Sequence, residues 1–225
     1  MSTEMLNVEF KGINKGKPKL KSDGFVLPFY QNKKSLRDLE YHNKFIKACE
    51  KLIRTSKEYK AYKKYLIKDV GLNYCQVFPN INLDNCDESE ITLEMHHGPI
   101  LTLFDCVAIV LEWMMVKGKD ISTLAVADII IQEHFDHHIQ TVMLCETVHQ
   151  EVHDFDVFLN MSMGFGDIKA FLEKYKEGLL PEQIVKINRY IELSKKYDSF
   201  DKDVMKVNKT VTKWSKEIQL DSLFD

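Results

Sequence analysis

Between residues 36 and 68 the apolar side chains recur every three or four positions, with lysines and arginines between them. This spacing is that of a helix with one apolar stripe, so we expect a basic amphipathic helix over residues 36–70, either continuous or broken once. The residues before it, 1–35, are rich in lysine and glycine and contain few large apolar side chains. We expect this part to form a basic extended arm.

The middle of the chain combines short apolar runs with two long ones. Three short runs have the composition of β-strands: LNYCQVF (72–78), ITLEMHH (91–97) and QTVML (140–144). Residues 100–138 hold two long apolar segments separated by Gly118. These segments predict two buried helices in a hairpin, the second capped by Asp120 or Ser122. A further helix is expected over residues 145–160.

The last quarter of the chain predicts only helices. A short one is expected after Gly166, Pro181 at a first-turn position opens another, and a last one is expected over residues 202–219. The predicted fold class is therefore α+β and mostly helical. Its core, residues 71–165, is a small sheet-and-helix unit interrupted by the helical hairpin. A basic N-terminal helical arm and a helical C-terminal region (166–225) flank this core.

The overall composition is that of one core domain of ordinary size, with 225 residues and 44% hydrophobic content. No apolar run reaches the roughly 18 residues that cross a bilayer, and the first residues lack the apolar block of a secretory signal. Five cysteines, none of them in a CxxC pair, indicate free thiols in a reducing compartment. We therefore expect a soluble cytoplasmic protein without a membrane partner.

The net charge of −3 conceals a strong asymmetry along the chain. Residues 1–68 hold 17 Lys and Arg against 7 Asp and Glu, whereas residues 69–165 hold only 2 against 16. A basic segment of this kind is typical of a contact with phosphate groups, which predicts DNA as a partner of the N-terminal arm. An alternative of equal weight is that the basic face docks on the acidic core of the same chain or of a neighbouring subunit.

Four histidines carry the most specific chemistry. His96 and His97 end a predicted strand, where neighbouring side chains point to opposite sides. His149 and His153 stand one turn apart on a predicted helix, a spacing at which two imidazoles can bind one ion. One strand histidine would complete a three-histidine metal site.

A second histidine-rich segment, EHFDHH at residues 133–138, ends a predicted apolar helix. Histidine near the C-terminus of a helix interacts favourably with the helix dipole, and we favour that explanation over a second metal cluster. Cys145 lies close to the helical histidines, but a small buried side chain is the simpler explanation for it.

The histidine motifs resemble the shared core of the HNH, or ββα-metal, endonucleases. That core has a strand ending in an acidic residue or histidine followed by histidine, a second strand reading like NLVTLC, and a helix reading like CHxxxH. The corresponding segments here are LEMHH, QTVMLC and ETVHQEVH. The segments HHGPILTLFD and ETVHQEVH are also similar to segments of HNH-like proteins of large bacteriophages that carry a helical insertion in the motif.

This resemblance implies a metal-dependent DNA endonuclease that hydrolyses phosphodiester bonds. It implies one divalent ion, Mg²⁺, Mn²⁺, Ni²⁺ or Zn²⁺, held by His96, His149 and His153, with His97 as the general base. Gln140 stands where the family has the asparagine that orients this base. In a phage-encoded protein these residues would act in the host cytoplasm.

A second function, from a different class, fits the same residues. It is a non-catalytic binding or assembly protein of phage type that keeps the metal-binding fold and contacts a protein partner or another copy of the chain. Gln140 in place of asparagine favours it. So does the scarcity of cations, because residues 69–165 contain only Lys117 and Lys119, whereas phosphate binding needs positive charge. The intact order of the four histidines favours the endonuclease, which is our main prediction.

Overall fold

The computed structural model of the protein describes residues 35–86 and 91–197. The expected basic arm, except for its last residue, and the helix expected over residues 202–219 lie outside this part of the chain. The described residues form seven α-helices and one two-stranded antiparallel sheet, so the fold is α+β and mostly helical, as predicted. No helix within the described ranges is long and apolar enough to cross a membrane.

The basic amphipathic segment forms two helices, α1 (Leu39–Thr55) and α2 (Lys57–Lys68). Ser56 divides them. Its backbone N–H donates to the carbonyl of Ile53 at 3.1 Å, and its hydroxyl accepts a hydrogen bond from the N–H of Tyr59 at 3.0 Å. Serine suits this position because it can end one helix and cap the next with the same residue. The break that the pattern allowed is therefore a serine cap.

The predicted helical hairpin consists of α3 (Leu103–Val116) and α4 (Thr123–Phe135). The first begins at a capping box on Thr102, and the second begins at Ser122, whose hydroxyl accepts a backbone hydrogen bond. Helix α1 packs against both. All residues from 106 to 111 are buried, because α3 is covered on several sides. The apolar side of the basic helix is thus part of the core.

The sheet pairs β1 (Leu93–His97) with β2 (Thr141–Cys145) in antiparallel orientation. Helix α5 (Glu146–His153) follows β2 without a loop and contacts both strands. It ends well before Asn160, the predicted limit, and Phe155 just beyond it has a left-handed φ of 62° that no helix can include. Two strands and one short helix therefore form the unit that carries the four histidines.

The strand predicted over residues 72–78 is wrong. The segment approaches β2, and Gln76 makes two hydrogen bonds to that strand. Its backbone N–H donates to the carbonyl of Met143 at 2.8 Å, and its side-chain oxygen accepts from the N–H of Met143 at 2.7 Å. A side-chain amide thus takes the part that the backbone carbonyl of a third strand would play. The bridge between Tyr74 and Asn82 is isolated.

The C-terminal helices, α6 (Ile168–Lys174) and α7 (Pro181–Lys196), close over the core, and Pro181 occupies the first turn as predicted. Helix α7 is fastened by an ion pair between Lys186 and Asp105, whose Nζ and Oδ2 are 3.0 Å apart. Burial raises the pKa of Asp105, but the Lys186 ammonium and the hydrogen bonds from Thr102 bring it below its ordinary value. Asp105 is therefore ionised and depends on these partners.

Replacing Lys186 by Met should lower the free energy of unfolding by about 3 kcal/mol, because it leaves the buried Asp105 carboxylate without its counter-ion. Urea denaturation measures the change. The matched control is Lys117→Met, which breaks an exposed ion pair with Glu177 and should cost about 1 kcal/mol or less. Adding Asp105→Asn to the first variant should restore part of the loss. Equal losses for Lys186 and Lys117 would contradict a fastening by a buried ion pair.

Candidate metal centre

Three of the four motif histidines converge in a triad. His96 comes from β1, and His149 and His153 from one face of α5. One ring nitrogen from each lies within 4.8 Å of the others, and the Nε2 atoms of His149 and His153 are 3.1 Å apart. Two nitrogens bound to one zinc ion at about 2.05 Å in tetrahedral geometry would be roughly 3.3 Å apart. The spacing of His149 and His153 thus fits two ligands of one ion, and the nitrogen of His96 lies close enough to be a third.

Glu94 orients His149 through the ring nitrogen that is not directed at the other two histidines of the triad. Its carboxylate accepts a hydrogen bond from Nδ1 of His149, so the Nε2 of this ring keeps its lone pair for an ion. A carboxylate behind a ligating histidine is a common arrangement in metal sites, where it fixes the tautomer and increases the basicity of the ring. The sequence contained a signal for Glu94, since residues 94 and 96 of a strand lie on the same face, but our prediction did not use it.

The electrostatics of the triad suit a cation. Burial, with smaller effects from His149 and His153, lowers the pKa of His96 to about 3. Burial and His149 also lower the pKa of His153. Both rings are neutral at pH 7 and can offer lone pairs. Neutral imidazoles suit zinc, nickel, copper and iron better than magnesium, which prefers oxygen ligands. The donor set therefore fits a transition metal, and three protein ligands leave a coordination position open.

His97 lies on the opposite side of β1, as the alternation of strand side chains predicts. Its Nε2 is 3.0 Å from Nε2 of His134 on α4, and its ring stacks on Tyr59 of α2. His134 must donate from Nδ1 to the carbonyl of Ile130 at 2.7 Å, so its Nε2 is the acceptor and His97 carries the Nε2 proton. The Nδ1 of His97 therefore carries no proton, and it has no hydrogen-bond partner among the described residues.

The side chain of Gln140 is directed to a loop. Its amide nitrogen donates to the carbonyls of Met161 and Gly164, at 3.1 and 3.4 Å. A Cβ atom at residue 164 would lie 2.3 Å from the Gln140 side chain, so glycine leaves the room that this side chain needs. The backbone of Gln140 reaches the strand end, because its carbonyl accepts from the N–H of Gly98 at 3.2 Å. Its expected part in orienting His97 stays a prediction.

A cavity of about 420 Å³ adjoins the triad. His96, His97 and His153 line it, together with two cations from outside the 69–165 core, Lys47 of α1 and Lys186 of α7. The prediction missed both lysines. Counting charges by segment could not find them, since they reach the site only when helices from both flanks pack against the core. Positive charge is therefore present beside the candidate centre.

The second histidine-rich segment is separate from the triad. Buried Glu133 lies near Asp136 and His138, close enough for the three to hold a cation. Both oxygens of Glu133 are already engaged, however: one accepts from Lys174 at 2.6 Å and Tyr175 at 2.7 Å, and the other from His138 at 2.7 Å. These bonds tie α4 to α6. The five cysteines are free thiols, as predicted.

Residues 14–221 match the model of a protein family described as bacteriophage G278-like virion protein. Comparisons with curated proteins and with solved structures found no match. The family match confirms the expected similarity to bacteriophage proteins. It does not test the HNH resemblance or the parts assigned to His97, Gln140 and the triad, which stay predictions.

The buried His97–His134 pair predicts a pH-dependent stability. Burial lowers the pKa of His134 from 6.5 to about 4, so between these values the unfolded protein binds a proton at this residue and the folded protein does not. The free energy of unfolding should therefore fall as the pH drops below 6.5, by up to about 1.4 kcal/mol per pH unit for each such histidine. Urea denaturation with a chelator present, at several pH values across this range, measures the slope.

The control for this slope is His134→Gln, which keeps a hydrogen-bonding side chain that cannot titrate. The free energy of unfolding of this variant should change less steeply with pH than that of the wild type, by an amount that corresponds to the binding of about one proton. Identical slopes for the two proteins would mean that His134 is protonated in the folded state as readily as in the unfolded chain.

Proposed function

Since the chain belongs to the bacteriophage G278-like virion protein family, we propose that it is a structural or assembly component of the virion. In this proposal a divalent metal ion holds together the unit formed by β1, β2 and α5. The observation that carries this proposal is the convergence of His96, His149 and His153, with Glu94 behind His149. His96 belongs to the sheet and the other two ligands to the helix that packs on it. An ion on all three would join β1 to α5.

A structural ion has a clear physical use here. A two-stranded sheet is marginally stable by itself and needs packing or cross-links. Helix α5 has eight residues, fewer than an isolated helix needs to be stable in water. An ion that binds only the folded arrangement would stabilise both elements at once, because its binding free energy adds to the folding free energy. We favour zinc, since all three ligands are imidazoles.

A metal-dependent phosphodiester hydrolase of the HNH type is a second candidate. The specific observation that favours it is that His97, the expected base, lines the same cavity as His96 and His153. The bond between His97 and His134 counts against it, because it leaves His97 buried with one ring nitrogen already engaged. DNA binding belongs to this candidate, and exposed lysines of α2, such as Lys60, Lys64 and Lys68, would support it together with the N-terminal arm.

The structural proposal predicts one divalent ion per chain in purified protein at neutral pH, measured by elemental analysis after dialysis. His149→Ala should abolish binding, because it removes one of three ligands. Glu94→Gln should weaken the affinity by about 10- to 100-fold while leaving all ligands in place. His138→Ala, which removes a histidine outside the triad, is the control and should keep the ion. Saturating metal should raise the melting temperature of the wild type and of His138→Ala, but not that of His149→Ala. Wild-type protein that holds no ion would end the proposal.

The hydrolase candidate predicts that purified protein nicks supercoiled plasmid in the presence of Mg²⁺, Mn²⁺, Ni²⁺ or Zn²⁺. A His97→Gln variant should lose the activity while its metal content stays at the wild-type level, since His97 is expected to act as a base and not as a ligand. Nicking that survives in this variant excludes His97 as the base. No nicking with any of the four ions leaves the structural function alone.

A further inference from the structure

The cavity beside the triad has the size and the lining of a small-molecule site. Its volume of about 420 Å³ falls within the range of about 300 to 1,000 Å³ that is usual for ligand pockets. Its walls come from α1, the strand end and start of α3, the end of α5, and α7. A site built by this many elements is formed only in the complete fold.

One part of the wall is aromatic. Phe104 at the start of α3, Phe155 just after α5, and Tyr190 on α7 all line the cavity. The hydroxyl of Tyr190 donates to the carbonyl of Leu159 at 2.8 Å, and its ring packs on Phe158 with centroids 5.0 Å apart. This ring is fixed in place, and its polar atom is already satisfied. Such surfaces bind flat rings by stacking, with little dependence on the identity of the ring.

Another part of the wall is polar and carries two lysines and one carboxylate, those of Lys47, Lys186 and Asp105. Lys186 is held in position by Asp105, and Lys47, whose charge interacts with that of Glu50 on the same helix, adds a second ammonium group. Asn43, one turn before Lys47 on α1, adds a side-chain amide that can both donate and accept. Two triad histidines border the same space, so an ion on the triad would lie at the cavity edge. Lysine and a divalent ion are typical partners of a phosphate group.

We propose that this cavity binds a nucleotide, with its phosphate between the triad ion and Lys47 and its base against the aromatic wall. The placement of the phosphate rests on the metal site proposed above. A fatty acid is a poorer fit, because its carboxylate could pair with one lysine but its chain would cover Asn43 without offering a hydrogen bond. A free mononucleotide and the end of a single-stranded nucleic acid share the required chemistry, a phosphate ester beside a base.

The test is isothermal titration of the full chain, loaded with one equivalent of zinc, against the common nucleoside 5′-monophosphates. Inorganic phosphate, the matching nucleosides and decanoate are the comparison ligands. At least one nucleotide should bind with one-to-one stoichiometry and at least tenfold more tightly than phosphate or its nucleoside. A short single-stranded oligonucleotide with a 5′-phosphate, beside one without it, distinguishes a strand end from a free nucleotide.

Two variants, the first with a matched control, locate the ligand. Lys47→Gln should weaken nucleotide binding by about tenfold, and Lys51→Gln, on the same helix but outside the cavity, should not. Phe104→Leu keeps an apolar side chain but removes the ring, so it should weaken nucleotide binding and leave phosphate binding unchanged. Equal effects of the two lysine variants, tighter binding of decanoate, or no preference for nucleotide over phosphate would each overturn the proposal.

Metal analysis of the same samples separates this proposal from the one on which it rests. Zinc-loaded protein that binds no nucleotide overturns the nucleotide site and leaves the metal site standing. Protein that takes up no zinc overturns the metal site. Nucleotide binding of unchanged affinity in metal-free His149→Ala protein would refute the placement of phosphate on the ion.

Discussion

The antiparallel register of β1 and β2 is the constraint on which the candidate site depends. It sets Leu93 opposite Cys145 and His97 opposite Thr141, so that α5, which starts directly after β2, faces the side of β1 that carries Glu94 and His96. Because strand side chains alternate, a slip of one residue would exchange the two faces and present His97 to the helix. The triad and its supporting carboxylate exist only in this register.

The two faces of β1 place adjacent histidines in different chemical environments. On one face His96 borders the cavity beside two helical imidazoles, in a position where a lone pair can bind a cation. On the other face His97 is stacked on Tyr59 and bonded to His134, in surroundings built by α2 and α4. Both rings line the cavity, but only the His96 ring lies in the triad, whereas the His97 ring is engaged with His134 in the core. This difference is the reason that we favour a structural ion over a catalytic one.

Local sequence signals predicted the parts of the site that lie within one element or at its ends. The i and i+4 spacing of the helical histidines, the strand alternation around His96, the hairpin and the cap at Ser122 all follow from residues close together in the chain. The failures concern contacts between distant segments. The false strand at 72–78 has strand composition, but Gln76 meets β2 through its side chain. No local pattern distinguishes a segment that pairs with β2 as a strand from one that contacts it through a side chain.

The charge of the cavity also depends on contacts between distant segments, which local sequence signals do not predict. The charges counted along the chain make the core acidic, and this was our reason for doubting phosphate chemistry at the histidines. The packing of the helices changes the balance of charge at the site, because Lys47 of α1 and Lys186 of α7 line the cavity that the triad borders. Asp105 offsets one of these charges, so the cavity is only modestly positive until an ion binds the triad. Its affinity for anions would then depend on metal loading, which couples the two proposed sites through charge alone.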